Sequence, residues 1–214
     1  MRFGQAGKGI HVNTVRCTEM TDEEKFDTEA YWNAMSPHYY VPDVFGRNVL
    51  KAFIRSLNPQ PMSFLEIGCG RGELMPLYKD FPRAVGLDFA EGMVKQSRKR
   101  VGRHKYNVEV FHQDITKGHL DERFDLVLTR TVLMHIHPDD IMAACANVAA
   151  MGDNLFIFEY WEEREPVLAV HNWLHQYEEL FHALGYVTVS KYKRPDHAQI
   201  LYHFRKGIDN HIDT

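Results

Sequence analysis

The chain has 214 residues, 44% of them hydrophobic, with a net charge of −4 and a pI near 6.3. That is enough for the core of one α/β domain, and the acidic balance lacks the basic footprint of a protein that grips an extended phosphate backbone, so nucleic acid is not the expected partner. Cys17, Cys69 and Cys145 are too few and too scattered for a disulfide framework, no apolar run reaches the length of a membrane span, and the N-terminus has no apolar secretory core, so a soluble cytoplasmic protein is expected.

Residues 1–20 are polar and aperiodic, with glycines at Gly4, Gly7 and Gly9, and read as a disordered tail with Met20 as an alternative start. Thr21-Asp22-Glu23-Glu24 has the form of a capping box at a helix start. Tyr31 to Tyr40 is dense in aromatics and reads as packing of an added helix on the core. From Val44 to Leu57 the apolar residues recur at helical spacing, which predicts an amphipathic support helix.

Phe64-Leu65-Glu66-Ile67-Gly68-Cys69-Gly70-Arg71-Gly72-Glu73 follows, a strand with an acid near its end and then three glycines at alternate positions. Glycines there let the backbone approach a bulky ligand without Cβ obstruction. The next apolar run ends in Asp88, where a carboxylate can take the two hydroxyls of a ribose. A dinucleotide fingerprint requires Gly-x-Gly-x-x-Gly; here the third glycine comes one residue early and Glu73 fills its place. Glu66 and Glu73 would repel a pyrophosphate but suit a nucleoside carrying an ammonium and a sulfonium.

Leu74–Tyr78 and Ala90–Val101 are predicted helices, Val108–Ile115 a third strand ending near Asp114, and Phe124–Arg130 a fourth running into Thr131–Ile136. From Phe64 to Glu159 the chain resembles the class I S-adenosylmethionine-dependent methyltransferases, with four motifs in the family's order. The resemblance implies a three-layer Rossmann-like α/β fold, with a seven-stranded, mostly parallel sheet whose last strand is reversed and helices on both faces. It implies a single domain over 21–214, with a helical cap at 21–60 and the core at 61–207. S-adenosylmethionine is the implied cofactor.

The same resemblance implies residue roles. Glu66 and the amides around Gly68, Cys69 and Gly70 would hold the methionine part of the cofactor; Asp88 would take the ribose, with Phe89 beside the adenine. Asp114 would accept the adenine amino group and the Ile115 amide would address the ring nitrogen. Thr129 and Arg130 would lie near the cofactor's amino acid and the reacting centre. Taken singly, Asp114 reads equally as a turn residue or helix cap and Phe89 as ordinary core. His135 stands where the family often has histidine, as a base or an orienting group for the acceptor; a histidine satisfied by a loop carbonyl is the competing account. His137 is a weaker candidate.

Ile141–Ala150 should form the crossover helix after Pro138-Asp139-Asp140, and Asp153–Glu159 a buried fifth strand. Apolar spacing predicts a helix from His171 to Leu184 ending at Gly185, then strands at Tyr186–Tyr192 and Gln199–Phe204 forming an antiparallel hairpin at the sheet edge. His171 and His175 could share a helix face with Glu178, Glu179 and His182, but no Glu follows His171, so no metal is expected. Arg98-Lys99-Arg100 with Arg103 and Lys105 is the one basic run and reads as a solvated helix end. Trp161–Glu165, after the fifth strand, is either part of an acceptor pocket or a charged surface loop.

The expected activity is methyl transfer to an oxygen or nitrogen of a small-molecule acceptor. A protein or nucleic-acid methyltransferase, or a non-catalytic cofactor-binding partner subunit, is the alternative. An Asn/Asp-Pro-Pro-aromatic motif is absent after the fourth strand, where Thr129-Arg130-Thr131-Val132 stands.

Overall fold

The computed structural model describes residues 28–37, 44–57, 60–160, 172–194 and 198–207. The expected tail at 1–20, the Thr21–Glu24 capping box, His38–Tyr40, Trp161–Glu165, His171 and the 195–197 turn lie outside the described residues.

Seven strands form one sheet: β1 (Ser63–Ile67), β2 (Arg83–Asp88), β3 (Glu109–His112), β4 (Leu126–Arg130), β5 (Asn154–Tyr160), β6 (Tyr186–Lys193) and β7 (Gln199–Lys206). Their order is β3-β2-β1-β4-β5-β7-β6. The first five run parallel, with Leu65 of β1 in register with Val85 of β2 and Val127 of β4. β7 is antiparallel to both neighbours, so the expected hairpin forms with β6 on the edge. This is the three-layer Rossmann-like methyltransferase fold. The crevice of such a sheet opens at the carboxyl ends of its strands, beside the point where the strand order reverses, here between β1 and β4.

Continuous apolar runs are what a strand covered on both faces requires, and alternation then assigns each residue to a face. On one face Leu65, Ile67, Val127, Leu155 and Ile157 pack with α5 (Ile141–Ala150) and α6 (Tyr177–Ala183). On the other, Phe64, Leu126, Leu128, Phe156 and Phe158 pack with α2 (Val44–Ser56), α3 (Met75–Tyr78) and α4 (Glu91–His104). The helix α1 (Thr28–Met35) lies outside both layers and packs on α4.

Three expected elements differ in extent. The helix after the glycine bend, expected over Leu74–Tyr78, is the single turn Met75–Tyr78, with Pro76 in its first turn. α4 runs on to His104, where Lys105 leaves it in the left-handed conformation. The helix predicted over 171–184 begins only at Tyr177. Ahead of it the Trp173 amide donates to the Met134 carbonyl at 2.7 Å, and the His175 ring meets the Ile136 carbonyl at 3.0 Å. Those tertiary bonds hold residues 173–175 out of the helix, so His175 is not on a helix face with Glu178, Glu179 and His182.

Candidate functional site

The bend after β1 is built from three left-handed glycines, Gly68 (φ 70°), Gly70 (φ 53°) and Gly72 (φ 79°), a conformation that costs other residues about 1–2 kcal/mol. Gly68 answers a second demand, close approach: a Cβ there would lie 2.2 Å from Cγ2 of Val132. Two hydrogen bonds tie the bend to β2. The Cys69 amide donates to the Leu87 carbonyl at 2.8 Å, and the Gly70 amide donates to Asp88 Oδ2 at 2.8 Å. The Cys69 side chain is buried against Ser97.

Asp88 ends β2 with 7% of its surface exposed. Its Oδ1 accepts from the Ala90 amide at 2.9 Å, which leaves each oxygen room for one more donor. Burial pushes its carboxyl up to about 6, against the pull of the Ala90 and Gly70 amides. Phe89 is half-buried, and its carbonyl meets the His112 ring at 2.7 Å. Past β3, Asp114 folds into a local turn, accepting from the Thr116 amide and hydroxyl at 2.9 and 2.7 Å and pairing with Lys117. Burial pushes its carboxyl up, but Lys117 and Thr116 outweigh that and leave it below the ordinary range. Ile115 is buried and accepts from Asn147 at 2.7 Å.

Glu66 lies on the α2–α4 face, buried, accepting from the Tyr78 hydroxyl at 2.5 Å. Burial pushes it up to about 8, although Tyr78 and the charge of Arg130 pull it down. One Glu66 oxygen is thus held by Tyr78, a partner that reads in the sequence only as an apolar helix residue, and the other is left to accept. The half-buried Arg130 is near enough for its charge to reach Glu66. Thr129 is completely buried, and its hydroxyl donates to Glu159 at 3.2 Å.

Beyond β4 the chain makes a 3-10 turn, Leu133–His135, after a left-handed Thr131 (φ 52°). The turn places the His135 ring edge-on to Trp32 of α1, with centroids 5.1 Å apart. His137 sits edge-on to Trp173 and pairs with Asp139 at 3.3 Å. α1 also reaches α4, where Asn33 Oδ1 accepts the Gly92 amide at 2.7 Å in the first turn. It thus spans the carboxyl edge of the sheet from the start of α4 to the turn carrying His135. In the basic run Arg98 donates to the Val110 carbonyl, while Lys99, Arg100 and Arg103 join Arg71 of the bend and His104 around a cavity of about 230 Å³.

One group escaped the sequence reading. Glu159, near the end of β5, is completely buried and accepts from the amides of Val132 and Leu133 at 3.0 and 3.2 Å. Its signal was an acid closing a fully apolar run, the pattern that singled out Asp88.

The donor set suits a nucleoside without a pyrophosphate. Three carboxylates, Glu66, Asp88 and Glu73, stand around the bend, Glu73 paired with Arg100, and the helix that follows is one turn long and starts five residues past Gly70. A dinucleotide fold would instead place a full helix N-terminus at the glycines.

The sequence pattern of the methyltransferase domain family matches residues 64–152. A malonyl-[acyl-carrier protein] O-methyltransferase of Anoxybacillus flavithermus is 30% identical over 86 residues, which are 39% of this chain and 32% of that protein. The match thus spans about a third of the length of that curated relative. Magnesium protoporphyrin IX methyltransferase of Synechocystis with bound SAM has the same fold (TM-score 0.66, 15% identity, 85% of this chain and 93% of that one). So does 1,6-didemethyltoxoflavin-N1-methyltransferase of Burkholderia thailandensis (TM-score 0.63, 19% identity, 78% and 80%). The core of this chain, residues 64–152, is a methyltransferase domain on the class I, S-adenosylmethionine-dependent fold.

Proposed function

We propose that this protein transfers a methyl group from S-adenosylmethionine to an oxygen or nitrogen of a small-molecule acceptor. The observation that carries the reading is the locked pair of the glycine bend and Asp88: a carboxylate fixed by two amides, with acceptor capacity left over, beside a backbone that keeps side chains away. Asp88 takes the ribose hydroxyls, Phe89, Asp114 and Ile115 line the adenine end, and the bend from Gly68 to Gly70 with Glu66, Thr129 and Arg130 surrounds the amino-acid end. Bound there, the cofactor supplies a methyl already activated by its sulfonium, so the protein's part is to align an acceptor and exclude water.

α1 is suited to exclude water, since it bridges α4 and the His135 turn across the crevice. In this reading His135 orients the acceptor or takes its proton, supported by its position on the turn after β4 against Trp32 of α1. The relatives carry both acceptor kinds in their names, an O-methyltransferase and an N1-methyltransferase. Small acceptors are favoured here over nucleic acid by the net charge of −4.

Calorimetry with S-adenosylmethionine and a product assay over an acceptor panel test the reading. Binding with turnover supports it; binding that gains turnover only with a second protein would make this chain a partner subunit; no binding would overturn it. Asp88→Ala should weaken cofactor binding by about 1–3 kcal/mol through loss of charged hydrogen bonds, and an unchanged Kd would remove the ribose assignment. His135→Ala should lower kcat by about 100-fold or more if the acceptor loses a proton; wild-type turnover at every pH would leave His135 no role as a base.

A further inference from the structure

We propose that Glu159 is a positioning residue, whose carboxylate at the end of β5 clamps the Val132–Met134 amides and so sets the turn that carries His135. The inference rests on the methyl-transfer reading for its consequence, but the clamp stands on geometry alone. Among the described residues its hydrogen-bond donors come from one stretch: Thr129 Oγ1 at 3.2 Å, then the amides of Val132 at 3.0 Å, Leu133 at 3.2 Å and Met134 at 3.5 Å. Three consecutive amides aimed at one carboxylate form the start of a short helical turn, and a charged acceptor about doubles the strength of such bonds.

The stretch needs holding. Thr131, immediately before it, is β-branched and left-handed at φ 52°, a state that persists only where its surroundings impose it. The Thr131 amide donates to the Phe158 carbonyl at 2.9 Å, so β5 fixes the turn through two adjacent residues. At the other end of the turn His135 meets Trp32. Val132 itself fills the space over Gly68. Glu159 thus reaches the acceptor side through the turn, while the Cys69 and Gly70 bonds to β2 hold the glycine bend independently.

The clamp contains a titration. Burial pushes Glu159 up to about 7, although the three amides and Thr129 pull it down. The titratable groups facing it are Cys145 of α5 and Tyr177 of α6, both buried and pushed above their usual values, first by burial and then by the charge of Glu159, so both stay neutral through that range. His135 lies on the clamped turn itself. Ionisation strengthens the amide bonds, so order in the turn should rise with pH through about 7.

Hydrogen exchange of the free protein tests the clamp without turnover. After correction for intrinsic rates, protection of the Val132–Met134 amides, taken relative to that of the β1 and β4 amides, should rise at least fivefold from pH 6 to 8 in the wild type. In Glu159→Gln it should fall at least tenfold and lose its pH dependence. Wild-type protection that is flat with pH would overturn the proposal even if the variant fails to fold. In the folded variant kcat should fall at least tenfold with the cofactor Kd within about threefold; an equal loss in both would make Glu159 merely structural. Failure of wild-type turnover alone would strike the methyl-transfer reading and leave the clamp standing.

Discussion

Gly68→Ala should cost about 2–5 kcal/mol of stability and remove measurable cofactor binding, the largest effect expected of a single methyl group in this protein. Two costs add. The residue is left-handed at φ 70°, which costs an alanine about 1–2 kcal/mol. Its new Cβ would also lie 2.2 Å from Val132 Cγ2 and 3.3 Å from the Cβ and Cγ1 of the same side chain, and forcing a methyl into filled space costs about 1–3 kcal/mol. Val132 cannot simply retreat, because its amide is held by Glu159 at 3.0 Å.

Gly70 supplies the control. It is left-handed too, at φ 53°, but a Cβ there would meet only Glu73 Oε2 at 3.8 Å. Gly70→Ala should therefore carry the conformational cost alone, about 1–2 kcal/mol. Adding Val132→Ala to Gly68→Ala should remove the collision and bring the double variant near the level of Gly70→Ala. Urea denaturation of the variants measures all of this; Gly68→Ala proving no worse than Gly70→Ala would show that the bend and the β4 turn do not press on each other.

The glycine bend, Asp88 and the five parallel strands were legible because each is a local pattern. A strand buried on both faces is largely apolar, and a left-handed bend favours glycine. What was not legible depends on partners far along the chain. Glu159 read as the end of a strand because its donors lie some thirty residues earlier, from Thr129 to Met134. Glu66 read as a ligand for the cofactor's positive end, and the Tyr78 hydroxyl that one of its oxygens accepts lies twelve residues on, in another element.

The helix predicted from 171 failed for the same reason. Trp173 and Leu174 carry helical spacing, but Trp173 and His175 are claimed by carbonyls of residues 134 and 136. Tertiary hydrogen bonds override a periodicity that is only a weak prior. The one-turn α3 has a local explanation that the sequence did hold: after three left-handed glycines only a few residues remain before Phe81, and Pro76 is tolerated only in a first turn.

Between pH 6.5 and 8 the free protein should lose about 2 kcal/mol of stability, and Glu66→Gln should remove most of that loss. Burial pushes Glu66 up to about 8 and Glu159 up to about 7, whereas in the unfolded chain such groups ionise near their ordinary value of about 4.3. The native state thus holds protons that the unfolded chain has released, and stability falls as pH rises toward the native values. The contribution is complete below about pH 4.5 and gone above about 8, and each fully differential proton is worth about 1.4 kcal/mol per pH unit.

Buried histidine acts in the opposite sense. Burial and then Arg205 push His203 down to about 4, so its contribution is present above about 6.5 and lost in acid. Working above pH 6.5 leaves the two glutamates as the principal terms, since Asp114, Glu122 and Glu178, all held below the ordinary range, are ionised in both states there. Glutamine at 66 keeps an oxygen for the Tyr78 hydroxyl and removes the titration. Denaturant unfolding at half-unit steps measures the slope, and a wild-type stability that is flat or rising would contradict a protonated Glu66 at neutral pH. Under the proposed cofactor reading the same acids reverse the trend on binding: an ammonium and a sulfonium favour ionised Glu66 and Asp88, so affinity should rise with pH across this window. Calorimetry in buffers of different ionisation heat should then register net proton release, and proton uptake would show that the positive end of the ligand lies away from these carboxylates.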